Sequence, residues 1–284
     1  MKAISNCLGC FGNQISKMMI SEKEKRKLFL QLFNFTLKYK NLFEDSPVEL
    51  ARIIYKNKIV VEFFKKQKDK EIKWSLRKYK ALKQHNEIKN LNLIQFLKLA
   101  TSANVFDFAA PDQLNWKKEI KKIKSKIKVD DIRGRILYIT DNAAEIGFDL
   151  LFLEKLKQNT KVEIDLMVRQ NDFINDLSIA DLKEYKINKL LKPLVNEVYG
   201  LDIYENAKGK SAIKLSELDK FIKNYDTIIS KGQANYEILS EFEPNPKIIF
   251  ALVAKCEVVA RAIGIKEGTG IIMKYETKSR CKDV

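Results

Sequence analysis

Four short segments of this chain carry residue types that could do chemistry: residues 141–145 (Asp-Asn-Ala-Ala-Glu), 175–176 (Asn-Asp), 231–235 (Lys-Gly-Gln-Ala-Asn) and 255–256 (Lys-Cys). Carboxylate and amide oxygens at Asp141, Asn142 and Asp176 suit a hard divalent cation such as Mg²⁺ or Mn²⁺. Lys231, Lys255 and the helix N-terminal amides from Gly232 to Asn235 suit phosphoryl oxygens. A cation held there would orient and polarise a phosphate and activate a water for attack. Each segment also has a plainer reading, with Asp141 and Asn142 as helix N-caps and Asn175-Asp176 as a turn. What favours a site is that all four follow predicted strands, and ligands of an open parallel sheet bind just beyond the strands' carboxyl ends.

The elements that must position these residues are legible in the apolar spacing. The pattern predicts strands over 135–140, 162–168, 195–199, 227–230, 248–253 and 270–275. Helices are expected between them over 145–158, 179–191, 215–225, 235–242 and 257–263. That alternation implies an α/β fold, a Rossmann-like parallel sheet with helices on both faces. The first hundred residues read as helical instead. Ser21 with Glu24 forms a capping box before Leu28, Leu32 and Phe35. Residues 46–49 form a second box with proline at the first helical position, opening a segment over 48–55. Leu93, Phe96, Leu97 and Ala100 make a third amphipathic stripe. The expected organisation is a helical N-terminal domain over 1–129 and a Rossmann-like α/β domain over 130–284 that carries the metal and phosphate site.

Composition bounds the function class. The chain has 284 residues, 45% of them hydrophobic, enough for a sizeable core. Its longest apolar run, residues 248–254, is far shorter than the roughly 20 residues a bilayer span needs. Polar breaks at Ser5, Asn6, Asn13 and Gln14 read as no secretory signal, and four cysteines make no disulfide framework, so a cytoplasmic location is expected. The charge balance is 53 − 37 = +16, with 13 Lys/Arg against 4 Asp/Glu over 51–90 and seven lysines against Glu119 over 117–128. Such a surface binds nucleic acid or is merely solvated; lysine predominates over arginine, and net charge speaks to solubility, not fold. There is no G-x-G-x-x-G after the first strand and no G-x-x-x-x-G-K-[ST], against a dinucleotide site or a P-loop. No second Asp follows Asp141 two residues on, so an aspartyl-phosphate nucleophile is not signalled. With no G-x-S-x-G and His85 the only histidine, a Ser-His-Asp hydrolase is disfavoured.

Taken in order, these motifs resemble the metal-dependent damage-control phosphatases first catalogued as domain of unknown function 89, in the subgroup with an N-terminal Cys-x-x-Cys pair. Cys7 and Cys10 followed by Gln14 resemble the family's start, and residues 104–108 (Asn-Val-Phe-Asp-Phe) its G-N-x-x-D-F signature. Residues 141–145 resemble D-N-A-G-E, and Arg169 with 174–176 resembles R-G-x-P-x-x-N-D. Residues 231–235 resemble K-G-x-G-N, and 254–256 resemble K-x-K-C. The resemblance implies a divalent metal ion (Mn, Mg, Co or Ni) on Asp141, Asn142 and Asp176. Lys255 would sit on the phosphate, and Asn104, Asp107 and Asn235 would line the pocket, with Arg169, Lys231 and Gly232 also on the substrate side. Glu145 would orient or deprotonate the attacking water. The catalytic set implied is Asp141, Glu145, Asp176 and Lys255, hydrolysing phosphate monoesters of small metabolites such as sugar phosphates or damaged phosphometabolites.

The departures are specific. Ala144 and Ala234 stand where the family has glycine, which permits close backbone approach and positive φ. Gln170 and Asp172 replace its Gly and Pro, and Asp172 adds a negative charge that would repel substrate or supply a ligand. These changes keep open a weak or inactive member that binds phospholigands or nucleic acid. A methyltransferase of the same fold class is a further rival, disfavoured by the missing glycine-rich loop. Cys7 and Cys10 have the spacing of half a zinc site, which Cys256 and Cys281 could complete, but reduced, unliganded thiols are the commoner outcome. The expected partner is a small phosphorylated metabolite, with no membrane.

Overall fold

Alternating side chains explain how the central strands are buried on both faces. In a computed structural model, which describes residues 11–13, 15–38, 58–103 and 115–275, Ile136 and Tyr138 enter one core while Leu137 and Ile139 enter another. Successive strand residues point to opposite faces, so an apolar run is stable only where both faces are covered. The two cores lie on either side of one sheet.

Among the described residues, the helices that precede or flank its first strand include α1 (Glu22–Lys38), α2 (Lys58–Gln84), α3 (Asn86–Lys89), α4 (Leu93–Ser102) and α5 (Trp116–Lys122). The Ser21–Glu24 box opens α1 as expected, with Glu24 accepting from the Ser21 amide at 2.9 Å. Then come β1 (Ile123–Ser125), β2 (Arg135–Ile139), α6 (Ile146–Asn159), β3 (Glu163–Arg169), α7 (Ile179–Glu184), α8 (Ile187–Leu191), β4 (Val198–Asp202) and β5 (Ala212–Lys214). After them follow α9 (Leu218–Ile222), β6 (Thr227–Lys231), α10 (Gln233–Leu239), β7 (Ile248–Val253), α11 (Glu257–Ile263) and β8 (Gly270–Lys274).

The sheet is α/β and eight-stranded, in the order β1-β8-β7-β6-β2-β3-β4-β5. The chain winds outward from β2 to β5, then returns to lay β6 on the other side of β2 and winds outward again. The strand order therefore reverses between β2 and β6, where doubly wound sheets open a crevice at their carboxyl ends. One face is covered by the later turns of α2 (Ile72 to Leu82), α4 and α6 to α8, the other by α9 to α11, apolar residues from Ile15 to Leu32 and the start of α2 at Val60 and Phe64.

The structure adds to the expected elements in four places. β8 runs antiparallel to β7, although the other pairings are parallel. β1 and β5 were not anticipated. Each is a three-residue edge strand, too short for a two-residue period to register, and β1 lies in the lysine-rich stretch with Ile123 turned inward. The helix expected over 179–191 is broken into α7 and α8 at Lys186, whose φ of +56° is left-handed. The expected segment over 48–55 and its capping box lie outside the described residues. Among the described residues no helix is long and apolar enough to cross a membrane.

Candidate functional site

The ends of β6, β2 and β3 lie side by side at the strand reversal. The chain leaves β2 through Thr140 into Asp141 and Asn142, then turns through a 3-10 segment, Ala143–Glu145, into α6. It leaves β3 into a loop that returns Asp176 to the same place. Two backbone hydrogen bonds hold the two loops together. The Leu177 amide donates to the Asp141 carbonyl at 2.9 Å and the Ala143 amide donates to the Asn175 carbonyl at 2.8 Å, which together make Asn142 and Asp176 an isolated antiparallel bridge. Asp141, Asn142 and Asp176 are all buried.

Their side chains are oriented by neighbours. The Asn142 amide nitrogen donates to Asp141 Oδ2 at 3.1 Å and to Glu145 Oε1 at 3.2 Å, which turns its Oδ1 away from both carboxylates. Arg169, at the end of β3, donates from Nε to Asp176 Oδ2 at 2.7 Å, and its buried Nη2 has no hydrogen-bond partner among the described residues. Gly232 closes the floor. Its φ of +79° is left-handed, and a Cβ there would fall on the Asp141 carboxylate. Gly232→Ala is therefore expected to cost more than the roughly 1–2 kcal/mol of a left-handed alanine, read as a lower denaturation midpoint. Asn235, in the first turn of α10, donates to the Thr140 and Lys231 carbonyls at 2.8 Å each, tying the start of α10 to the ends of β2 and β6.

Beneath this surface lies a charged layer. Lys231, the last residue of β6, is 0% exposed and donates to Glu145 Oε2, and to Asp149 Oδ1 at 2.8 Å. Tyr138 of β2 donates to the same Asp149 oxygen at 2.6 Å, while Asp149 Oδ2 has no hydrogen-bond partner among the described residues. Burial alone would push the Lys231 ammonium down; the Asp149 and Glu145 carboxylates more than offset that and hold it above the ordinary lysine value, charged. Burial, with Glu145 nearby, pushes Asp149 above the usual carboxylate range.

Of the residues marked in the sequence, Asp141, Asn142, Glu145, Arg169, Asp176, Lys231, Gly232 and Asn235 come together here. Lys231 departs from its expected place on the substrate phosphate: it is enclosed among carboxylates under the crevice. Lys255 is exposed at the end of β7, where its amide donates to Gln233 Oε1 at 2.8 Å. Asn104, Asp107, Cys7, Cys10 and Cys281 lie outside the described residues. Ala144 and Ala234 do not occupy left-handed backbone, which among the described non-glycine residues is confined to Ile174, Lys186 and Glu205. Alanine therefore strains neither position. Asp172 is engaged by Lys68 at 2.6 Å and by the Ser178 hydroxyl at 3.1 Å, and so is neither a bare repulsive charge nor an uncommitted ligand.

Asp149, Tyr138 and Lys68 were not singled out in the sequence. Asp149 did leave a signal: it follows Glu145 by one helical turn inside an otherwise apolar run, where an acid is buried only if paired.

The donor set suits a hard cation. Among the described residues no three His, Cys, Asp or Glu side chains are grouped to hold a metal. The candidate is instead two carboxylates and one amide oxygen, with Arg169 behind one of them. These are oxygen donors of the kind Mg²⁺ and Mn²⁺ take alongside water and phosphate.

Comparison with known proteins agrees with this fold. Residues 3–271 match the family profile of the damage-control phosphatase ARMT1-like domain. A protein of Pyrococcus horikoshii named as a damage-control phosphatase is 29% identical over 298 residues, spanning 98% of this chain and 100% of that one. A second protein so named, from Archaeoglobus fulgidus, is 34% identical over 159 residues, 52% of this chain and 51% of its own. The crystal structure of a domain-of-unknown-function-89 family protein from P. horikoshii has the same fold, with a TM-score of 0.76 at 24% identity over 97% of this chain and 100% of that chain. With a match across nearly its whole length, this chain belongs to the damage-control phosphatase ARMT1-like domain family.

Proposed function

We propose that this protein is a divalent-metal-dependent phosphatase that hydrolyses phosphate monoesters of small metabolites at the crevice between β2, β3 and β6. The observation that carries the reading is the bridge that sets Asp141-Asn142 against Asp176 at the strand reversal, in a chain two of whose relatives are named damage-control phosphatases.

Asp141, Asn142 and Asp176 would hold the ion. The chemistry it supplies when bound is neutralisation of phosphoryl charge and acidification of a water. The remaining work falls to this chain's side chains. Arg169 fixes the Asp176 carboxylate through Nε, and its unpartnered Nη2 is a cationic donor suited to a phosphoryl oxygen. Lys255, exposed at the neighbouring strand end, supplies a second cation from the rim. Glu145 has one oxygen on the Asn142 amide and the other on Lys231. Of its two expected roles this geometry favours orientation, since its two oxygens accept from the Asn142 amide and the Lys231 ammonium.

The test is hydrolysis of an aryl phosphate by chelator-stripped protein given Mg²⁺, Mn²⁺, Co²⁺ or Ni²⁺ in turn. Turnover is expected to vanish on stripping and to return with at least one ion. Undiminished turnover after stripping would sink metal dependence. Folded protein inert with every ion, toward aryl and sugar phosphates alike, would favour the phospholigand-binding alternative.

A further inference from the structure

The 27-residue helix α2 sends a buried polar stripe toward both loops of the site. Lys68, Glu71 and Ser75 lie three and four residues apart, on one helical face, and all three are buried. The Ser75 hydroxyl accepts from the Gly147 amide at 2.8 Å, at the start of α6 just after Glu145. Contact there is so close that a Cβ on Gly147 would collide with the Ser75 carbonyl. Glu71 takes the Asn175 amide at 3.5 Å, the outer limit of a hydrogen bond.

Lys68 makes the densest contact. Its ammonium, 2% exposed, donates to Asp172 Oδ1 at 2.6 Å, Asp181 Oδ2 at 2.7 Å and the backbone carbonyl of Asp176 at 3.2 Å. Asp172 and Asp181 are the two ends of the segment that carries Asp176, and the Ser178 hydroxyl joins them, donating to Asp181 at 2.8 Å. Between them Ile174 sits at φ +48°, a left-handed conformation that a β-branched residue adopts only when its surroundings impose it. The loop therefore does not hold its shape by local preference. An external clamp is required, and Lys68 touches it on both sides of the strained residue.

We infer that Lys68 is a positioning residue for the Asp176 carboxylate, fixing from α2 the loop geometry on which cation binding depends. The inference rests on the metal-site reading above. Lys68 acts through the loop, its ammonium being taken up by Asp172, Asp181 and the Asp176 carbonyl. Burial alone would lower its pKa, but Asp181 and Asp172 raise it overall, so the clamp stays charged.

The test reads Mn²⁺ binding directly, from the free-ion electron paramagnetic resonance signal, beside the melting temperature. Lys68→Met removes the clamp but leaves two carboxylates without their cation. The charge-neutral variant Lys68→Met/Asp172→Asn/Asp181→Asn removes it without that penalty. Tyr185→Phe breaks a different tether of the same helix, the 2.6 Å bond to Asp69. Both Lys68 variants are expected to weaken Mn²⁺ binding about tenfold or more, the range for partners that orient metal ligands, with Tyr185→Phe within about twofold of native. A folded triple variant within about twofold of native overturns the proposal. So does equal weakening by Tyr185→Phe, which would make Lys68 general packing, or a triple variant that cannot fold, which would make it a global stabiliser. A native chain that binds no Mn²⁺, or an Asp141→Asn variant that binds it as tightly, overturns the metal reading itself and the proposal with it. That outcome is visible before any Lys68 variant is compared.

Discussion

Asp176→Asn is expected to lower metal-dependent aryl-phosphate turnover by more than about 10²-fold while the protein stays folded. The floor comes from scale: losing a residue that merely orients a metal ligand costs about 10–100-fold in affinity or activity, and losing a ligand's charge must cost more. Asparagine is the informative replacement. Asp176 accepts from the buried Arg169 Nε at 2.7 Å, and alanine would strand that guanidinium without a partner. Breaking a buried ion pair on one side costs about 3–5 kcal/mol, so Asp176→Ala mixes unfolding with loss of chemistry. The amide oxygen of asparagine still accepts from Arg169. Asp141→Asn is the parallel case, since the tight contact with Gly232 leaves room only for an isosteric group. Steady-state turnover against metal concentration, beside a circular-dichroism melt, checks both. Native-like turnover in either variant would remove that residue from the site.

Lys231→Met is the substitution expected to damage the fold most. It leaves Glu145 and Asp149 buried without their cation, and removal of one partner from a buried ion pair costs about 3–5 kcal/mol. For a chain of this size that lowers the melting temperature by on the order of 10 °C. The pH dependence identifies the cause. Without Lys231 the buried Asp149 carboxyl keeps a folded pKa raised above its unfolded one by burial. Such groups contribute stability that is present below the unfolded pKa and lost as pH rises through the folded pKa. The deficit relative to native should therefore be larger at pH 8 than at pH 5. Adding Glu145→Gln and Asp149→Asn should recover much of the loss. A single variant that melts like native protein at pH 8 would show that Lys231 does not carry the charge of this layer.

Much of this was legible in the sequence wherever residues obey a local rule. The strand over 248–253 and the helix over 257–263 are observed with those bounds, because a fully apolar run and a helical stripe are each unambiguous over such lengths. The clustering of Asp141, Asn142, Asp176 and Gly232 followed from one topological rule, that residues after parallel strands meet at a common edge. What spacing could not show is partnership. Lys231 has the position of a phosphate ligand, yet its strand end turns it under α6, where only the fold reveals Asp149 waiting. Asp172, an unwelcome charge on paper, is matched by a lysine 104 residues away. The left-handed Ile174 has no local signature either, since isoleucine gives no hint of a positive φ.

The reversal of strand order between β2 and β6 also bears on biogenesis. Chain synthesised first supplies β2 to β5 and both acids of the charged layer, while their cation arrives 86 and 82 residues after Glu145 and Asp149. Until β6 docks, the half-sheet has β2 as a bare edge and two acids with no counter-ion to be buried against. β6 thus acts as a keystone: it caps an adhesive edge and discharges an electrostatic debt in one move. A nascent chain stalled before β6 would be an unstable, edge-exposed species of the kind chaperones retain, so the strand reversal that gathers Asp141, Asn142 and Asp176 is also the seam on which quality control would act.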